Sequence, residues 1–266
     1  MFTQQIGRSG RQAARRLARA GQVRGYAAPA SSSGAFRRTA SMALVGLSFS
    51  AVGAAGMWHT MQQSGMGFYS DEESLNRFVA GDDEARLVEE TINKHPLVAE
   101  LRANTSLTES RPHMKMPVSY RSHTLTGGAL AGQSKMVVPP YVWLEDGGKS
   151  IVCISYVGED LCGHPGIVHG GFLATMLDEG LARCCFGALP HNIAVTANLS
   201  VDYRKPTPAG SFLVLRATTT KVDGRKAWVK GHIELLADPG ETPDVLTEAT
   251  GLFISPKYAA MMPKIT

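Results

Sequence analysis

Two adjacent glycines and a carboxylate seven residues later form the part of this sequence best suited to chemistry. Gly170 and Gly171 precede a run of strong helix formers that contains Asp178. The first turn of a helix presents unpaired backbone N–H groups and the positive end of the helix dipole, which can stabilise a developing oxyanion. A carboxylate inside an otherwise apolar helix is costly unless it is paired or used. The combination indicates chemistry on an acyl group.

The spacing also predicts that one subunit is not enough. Gly171 and Asp178 are separated by about 10 Å along one helix, at 1.5 Å per residue. A reacting carbonyl needs both groups at about 3 Å. We therefore expect Asp178 to meet the glycine turn of a second subunit, in a homodimer with two equivalent sites or in a dimer of such dimers. Glu179 points about 100° away from Asp178 and is a poor substitute for it.

The elements around this segment predict an α+β fold. A central helix is expected from about Gly170 to Phe186, and an Asp223-Gly224 pair is a strong hairpin signal. A second turn, at Asp146 to Lys149, lies between two β-branched and aromatic stretches. The predicted strands are Val137–Leu144, Ser150–Val157, Ile193–Tyr203, Phe212–Val222, Arg225–Leu236 and Val245–Ile254. One long helix followed by an antiparallel meander is the layout of a helix wrapped by a sheet.

Five motifs in this order carry a family resemblance. They are His169-Gly170-Gly171 with Asp178, then Val195-Thr196-Ala197-Asn198-Leu199, Tyr203-Arg204-Lys205-Pro206, Lys221-Val222-Asp223-Gly224-Arg225-Lys226, and Glu248-Ala249-Thr250. Residues 137–258 thereby resemble the hotdog-fold acyl-CoA thioesterases, and most closely the PaaI-like branch that includes the mitochondrial thioesterase superfamily members of animals. The resemblance implies a hotdog fold and obligate dimers with sites at the subunit interface.

The resemblance also implies roles for individual residues. Asp178 would act as general base on water, or as nucleophile, at the thioester carbonyl. The backbone N–H groups of Gly170 and Gly171 would polarise that carbonyl, and Thr196 would help to hold the water. His169 is a possible base by type, although a histidine at a helix entrance more often holds the loop by hydrogen bonds. The loop before His169 lacks the asparagine that many relatives carry there, and it contains His164.

The coenzyme A part of the substrate would need cations for its phosphates. In relatives the stretch that matches the Asp223-Gly224 turn contacts coenzyme A, so the expected contacts are Arg204, Lys205, Lys221, Val222, Asp223, Gly224, Arg225 and Lys226. Solvated turn charges are the alternative interpretation. The acyl chain would lie along apolar residues such as Phe172, Met176 and Leu177, which could equally be ordinary core. No metal or separate cofactor is expected, since Cys162 and His164 do not complete a ligand set.

The N-terminal region has the composition of a mitochondrial address. Residues 1–38 are rich in Arg, Ala, Ser and Gly and contain no acid, which predicts a transit peptide with cleavage after Tyr26. A disordered basic tail is the alternative. Residues 40–58 carry no charge and are about long enough to span a bilayer. A continued presequence or a buried helix is the alternative to a transmembrane helix.

Arg37 and Arg38, just before this stretch, favour an inner-membrane protein with its N-terminus in the matrix and its catalytic region in the intermembrane space. A location in the matrix is the alternative. Residues 70–136 read as a helical spacer and covering segment. Its first part, Ser70 to Ala103, is expected to be a solvated acidic helix broken near Pro96, which could also pack on the globular domain.

Composition narrows the functional classes. Eight of the 27 basic residues are arginines within the first 70 residues, which contain no acid. The remaining 19 basic and 23 acidic residues give the rest of the chain a net charge of −4, so a nucleic-acid partner is not expected. Four cysteines without a CxxC pair predict buried thiols in a reducing compartment. An acyl-CoA thioesterase is the favoured function. A non-catalytic acyl-CoA-binding or membrane-scaffold hotdog protein is the alternative, and a hotdog dehydratase is disfavoured.

Overall fold

The computed structural model describes residues 33–63 and 68–261. The chain divides into two compact units, Met1–Trp58 and His59–Thr266, and each is described by itself. Most of the predicted transit peptide, including its cleavage site after Tyr26, lies outside the described residues. Helix α1, Ser33–Gln63, contains all the described residues of the first unit, which ends at Trp58.

Helix α1 contains the segment predicted to span a membrane. Residues Arg37–Trp58 are long and apolar enough to do so by length and composition, and none of this stretch is buried in the structure. Two serine hydroxyls in this stretch form hydrogen bonds within the helix. Ser41 donates to the Arg38 carbonyl and Ser48 donates to the Leu44 carbonyl, both at 2.9 Å. A signal sequence passes the same test of length and composition, so a membrane span remains a proposal.

The second unit is built on one antiparallel seven-stranded sheet. In chain order its strands and those of a two-stranded ribbon are β1 Leu107–Ser110, β2 Tyr141–Glu145, β3 Ser150–Val157, β4 Cys162–His164, β5 Ile167–Val168, β6 Val195–Tyr203, β7 Ser211–Asp223, β8 Lys226–Leu235 and β9 Val245–Ile254. The sheet order is β1-β2-β3-β7-β8-β9-β6, and β4 pairs with β5 outside it. The two predicted turns connect β2 to β3 and β7 to β8, as expected.

The helices of this unit differ in length and in role. They are α2 Asp71–Leu75, α3 Asp83–Lys94, α4 Pro96–Ala103, α5 Pro112–Lys115, α6 Val118–Arg121 and α7 Gly170–Cys185, with a π-helical turn at Leu125–Ala129 and 3-10 turns at Glu159–Leu161, Phe186–Ala188, Pro190–Asn192 and Ala259–Met261. Helix α7 is the predicted central helix and lies on the inner face of the sheet. This is the arrangement expected of a hotdog fold.

One apolar side of α7 forms the core with the inner face of the sheet. Leu173, Leu177 and Leu181 recur at helical spacing and are almost completely buried against alternate residues of the central strands. Gly231 on β8 allows a close approach, because a Cβ there would lie 2.7 Å from a methyl group of Leu181. The charged positions of α7 are left on its two flanks, where Asp178 and Glu179 lie.

The segment before β2 covers the outer face of the sheet. The acidic stretch forms three short helices, with breaks before Asp83 and at Pro96, and of the two alternatives it follows the one in which it packs on the globular domain. Ile92 on α3 and Val98 on α4 are fully buried against Trp143 and Ile154 of the sheet. The breaks follow from local signals: Ser70 and Glu73 form a capping box, Asp82 caps α3, and Pro96 opens α4.

A buried ion pair fixes this cover to the sheet. The Arg111 guanidinium is 1% exposed and binds both Glu89 carboxylate oxygens, at 2.7 and 3.0 Å, as well as the Pro139 carbonyl. Strand β1, which the sequence did not predict, pairs with β2 from Leu107 to Ser110. The covering segment therefore also supplies the end strand at one edge of the sheet.

The other edge is open. Strand β6 pairs with β9 and has no second partner strand among the described residues. The predicted alternation of its buried side chains is interrupted by an irregularity at Ala197, and Val195 is 44% exposed. An exposed edge strand with apolar side chains is suited to pairing with another chain.

Candidate active site

Asp178 and Thr196, which are 18 residues apart, meet beside the open edge. The Thr196 hydroxyl donates to Asp178 Oδ1 at 2.7 Å. Asp178 lies on the flank of α7 that faces β6, where it is half-buried, and Thr196 is exposed. The hydroxyl orients the carboxylate and leaves its second oxygen free of any hydrogen bond to the described residues. The structure thus brings together two of the predicted site residues.

The first turn of α7 offers one unused donor. His169 caps the helix, and its Nδ1 accepts a 2.9 Å hydrogen bond from the Gly171 N–H. This Nδ1 is therefore unprotonated, as a capping role requires. The Gly170 N–H has no acceptor among the described residues. Of the two predicted oxyanion donors, Gly170 is available and Gly171 would first have to leave the His169 side chain.

Tyr203 is a contact that the sequence analysis missed. Its hydroxyl donates to the Gly170 carbonyl at 2.8 Å, which fixes the glycine turn against the end of β6. The tyrosine stands in one of the motifs of the resemblance, but nothing in the spacing alone marks it as a neighbour of the helix entrance.

Asp178 and Gly170 lie near opposite ends of β6 in one chain. Asp178 is bound by Thr196 at the start of the strand, and Gly170 by Tyr203 at its end. The two residues are eight positions apart on α7, about 12 Å along the helix at 1.5 Å per residue. No single carbonyl can therefore lie within reach of both groups of the same chain, in agreement with the spacing argument.

The predicted coenzyme A contacts fall into two groups. Arg204 pairs with Glu248 at 2.7 Å and Lys205 pairs with Asp244, so both loop cations already have carboxylate partners. At the β7–β8 turn, Lys221 lies over the Trp228 ring at 4.7 Å.

The remaining turn cations are less engaged. Arg225 donates to the Ser255 carbonyl at 2.7 Å, and Lys226 has no ion-pair partner among the described residues. Lys226 is in register with Ile254, and Ile254 with Val195, so the turn lies at the same end of the sheet as Thr196. Val222 and Asp223 are the last residues of β7, and the turn is formed by Gly224 and Arg225, one residue later than the predicted Asp223-Gly224 pair.

Comparison with known proteins identifies the family. The model of the thioesterase superfamily matches residues 165–238. An uncharacterised protein of Schizosaccharomyces pombe is 36% identical over 163 residues, which are 60% of this chain and 89% of that protein. The chain belongs to the thioesterase superfamily. Its predicted membership of the hotdog thioesterases is confirmed.

Other members of the superfamily are matched over shorter parts. Acyl-coenzyme A thioesterase THEM4 of Rattus norvegicus is 40% identical over 106 residues, 40% of this chain and 43% of that protein. A protein of Candida albicans named as mitochondrial is 32% identical over 143 residues, 53% of this chain and 64% of that protein. The chain thus spans less than two thirds of either relative.

A solved member, the Escherichia coli PaaI protein, has a TM-score of 0.36 and 18% identity, covering 41% of this chain and 73% of that one.

This thioesterase-superfamily chain also contains a buried polar cluster on the opposite flank of α7. Both Glu179 carboxylate oxygens lie 2.9 Å from the Thr126 hydroxyl, which also lies 3.2 Å from His113 Nε2. Burial raises the pKa of Glu179 and, with nearby arginines, lowers the pKa of His113 to about 3. Glu179 therefore faces the covering segment, away from β6.

The predicted acyl-chain contacts are largely buried within the same protomer. Phe172 and Met176 are 6% and 8% exposed, and Leu177 is fully buried. Met176 lines a cavity beside Glu179, whereas Leu177 packs in the core.

Proposed function

We propose that this chain hydrolyses acyl-CoA thioesters to free acids and coenzyme A, with Asp178 as general base or nucleophile. The observation that carries the proposal is the half-buried Asp178 carboxylate, oriented by the Thr196 hydroxyl at an open strand edge. The name of the THEM4 relative, acyl-coenzyme A thioesterase, supports this substrate class. A solved superfamily structure that shares 18% identity is described as bound to acetyl-CoA.

In the general-base route, Asp178 takes a proton from water while the water oxygen attacks the thioester carbonyl carbon. Thr196 donates to one carboxylate oxygen, so the other oxygen is free to accept that proton. The carbonyl oxygen becomes an oxyanion that an unpaired N–H such as that of Gly170 can stabilise. When the C–S bond breaks, the coenzyme A thiolate leaves and takes up the proton. In the nucleophilic route Asp178 attacks the carbonyl carbon and expels the coenzyme A thiolate, and water then cleaves the resulting anhydride to the free acid and the regenerated Asp178 carboxylate.

The two halves of the site would come from two chains paired through β6. Antiparallel pairing of two copies of one strand about a two-fold axis places early residues of one beside late residues of the other. An axis between Leu199 and Ser200 would set Thr196 of one protomer opposite Tyr203 of its partner. Asp178 would then lie near the glycine turn of the partner, as the spacing requires. Lys226 and Arg225 lie at the Thr196 end and would contact the coenzyme A phosphates.

Hydrolysis can be tested with a matched pair of carboxylate variants. The full chain, purified in detergent, would be assayed against acyl-CoAs of increasing chain length by release of the coenzyme A thiol. Asp178→Asn should abolish turnover with at least one substrate that the wild type hydrolyses. Glu179→Gln changes the adjacent carboxylate in the same way and should retain turnover. Equal activity of the Asp178→Asn variant and the wild type would refute the role of Asp178.

The shared site can be tested by mixing two inactive variants. Asp178→Asn lacks the acid, and Gly170→Pro lacks the N–H donor. In a mixed dimer one of the two sites combines the intact Asp178 of one chain with the intact Gly170 of the other. Random exchange of subunits should therefore restore about one quarter of wild-type activity. If both groups act within one chain, mixing restores nothing.

A non-catalytic acyl-CoA-binding or membrane-scaffold protein is the second candidate. Two observations favour it: the Gly171 N–H is bound to His169, and Arg204 and Lys205 are paired with carboxylates. This candidate predicts saturable binding of acyl-CoA, measured by calorimetry, without thiol release from any substrate in the panel.

We further propose a mitochondrial location, with residues 1–38 as a transit peptide and residues 40–58 as an inner-membrane anchor. The mitochondrial Candida relative, and a yeast relative named as a MIOREX complex component, support this location. The apolar stretch Arg37–Trp58 supports the anchor. Protease added to mitochondria with a ruptured outer membrane should remove the catalytic unit if it faces the intermembrane space, and should spare it if it faces the matrix.

A further inference from the structure

Arg183 is an unpaired cation among the described residues. It lies on the last turn of α7, one turn after Glu179, and is half-buried. Its guanidinium has no hydrogen-bond acceptor and no ion-pair partner within the described part of the chain. The nearest carboxylates have other bonds, since Asp71 pairs with Lys115 at 2.8 Å and Glu179 accepts from Thr126. A guanidinium removed from water without an acceptor is unfavourable.

The side chain lines two adjoining spaces. One is a cavity of about 50 Å³ between α7, the sheet and the covering segment, bounded by Met176, Leu215 and Ile151 on its apolar side and by Glu179 and His113 on its polar side. At about 10–15 Å³ for each water-sized group, it holds about four such groups. The other is a crevice of about 140 Å³ lined by Lys115, Ser110 and Asn192. Arg183 stands between the two.

We propose that Arg183 binds the carboxylate of a short-chain monocarboxylic acid, whose apolar part enters the cavity beside Met176. The planar guanidinium matches a carboxylate with two parallel N–H···O bonds. A mostly apolar wall suits a hydrocarbon body. The charges around Arg183 favour a monoanion over a dianion such as phosphate, because Asp71 and Glu179 are both close enough to interact with the guanidinium electrostatically. This site lies on the flank of α7 opposite Asp178 and does not depend on hydrolysis.

The inference can be tested by thermal unfolding of the full chain in detergent, with sodium butyrate as the probe. At about ten times its Kd, butyrate should raise Tm by about 3–6 °C. Butyramide, which has the same size but no charge, sodium phosphate, and sodium chloride at equal ionic strength should leave Tm unchanged. A cavity that holds only water predicts no saturable response to butyrate, and that result would overturn the proposal.

Variants then assign the effect to Arg183. Arg183→Gln should remove the response to butyrate. Arg183→Lys keeps the charge but not the planar guanidinium, and it should raise the Kd for butyrate about tenfold or more. Arg216→Gln is the matched control, because Arg216 is already paired with Glu234 at 2.8 Å on the outer face of the sheet. It should leave the response intact. If the Arg183 variants do not fold, the comparison of butyrate with butyramide and phosphate on the wild type still decides. An equal response to phosphate or butyramide, or one retained in Arg183→Gln, contradicts the proposal.

Discussion

Replacing Gly170 by proline should remove one backbone N–H and little else. Gly170 is the first residue of α7, the helix position that tolerates proline best because its N–H has no partner within the helix. The residue before a proline must be extended, and His169 already is, with φ −64° and ψ 128°. The His169 cap on the Gly171 N–H is unaffected. The substitution therefore isolates the donor proposed for the oxyanion.

The expected loss can be estimated from single oxyanion donors in other enzymes. Removal of one such donor lowers kcat by about 10²–10³, equivalent to about 2.7–4 kcal/mol of transition-state stabilisation. Since the Gly171 N–H is bound to His169, it does not compensate. KM for the acyl-CoA should change much less than kcat, because the oxyanion forms only in the transition state.

Gly170→Ala is the control for bulk. A Cβ at this position would lie 3.2 Å from the Tyr203 ring, a close contact that alanine and proline share. Alanine keeps the N–H, so it should retain most of kcat if the donor is what matters. Steady-state thiol release for both variants, with thermal unfolding to check folding, gives the answer. Equal losses in Gly170→Ala and Gly170→Pro would show that crowding of Tyr203, and not the missing N–H, explains the effect.

Three further perturbations have defined outcomes. Thr196→Val removes the hydroxyl that orients Asp178, and a hydrogen bond to a charged group is worth about 1.5–3 kcal/mol, so kcat should fall about 10–100-fold. Thr196→Ser keeps a hydroxyl and should retain most of the wild-type kcat. An unchanged kcat in the valine variant would exclude this positioning role. The pKa of His113 is about 3 in the folded state, whereas in the unfolded chain it is about 6.5, so the unfolded chain takes up this proton first as pH falls. The free energy of unfolding should therefore drop by about 2 kcal/mol between pH 7 and 5. Urea unfolding should show this loss in the wild type and not in His113→Gln. Glu89→Gln leaves the buried Arg111 without its counter-charge and should cost about 3–5 kcal/mol in the same assay. The control Glu90→Gln removes an exposed ion pair and should leave the unfolding free energy nearly unchanged.

The sequence predicted what depends on local pattern. The central helix starts at Gly170 as expected and ends one residue before Phe186. Strands β3 and β9 have the predicted bounds, and β7 and β8 agree to within one residue or two, since an Asp-Gly turn and alternating apolar residues determine them locally. The five motifs also predicted the family and named Asp178 and Thr196 as site residues. The hydrogen bond between them was not predicted, because neither residue type alone indicates which strand the helix flank will face.

Long-range contacts were not predictable in the same way. Strand β1 is a four-residue segment without clear alternation, and it is a strand because β2 supplies its hydrogen bonds. The acidic helices looked solvated because charges outnumber apolar residues in them, yet Ile92 and Val98 suffice to anchor them. No sequence spacing links His113 and Thr126 to Glu179, which the fold brings together from two segments. Interactions of this kind depend on tertiary packing, which overrides local propensity.

The covering segment also bears on where a second copy can bind. A sheet offers two edges for pairing with another sheet, and here they are β1 and β6, each with one partner strand among the described residues. The outer face of β2 and β3 is covered by α3 and α4. Strand β1 has four residues and is contacted by helices α2 and α4 of the covering segment, whereas β6 has nine residues and carries Thr196 and Tyr203. The same covering that closes one side of the molecule therefore directs association to the edge where Asp178 lacks its oxyanion donor, so that dimerisation and completion of the site would be a single event.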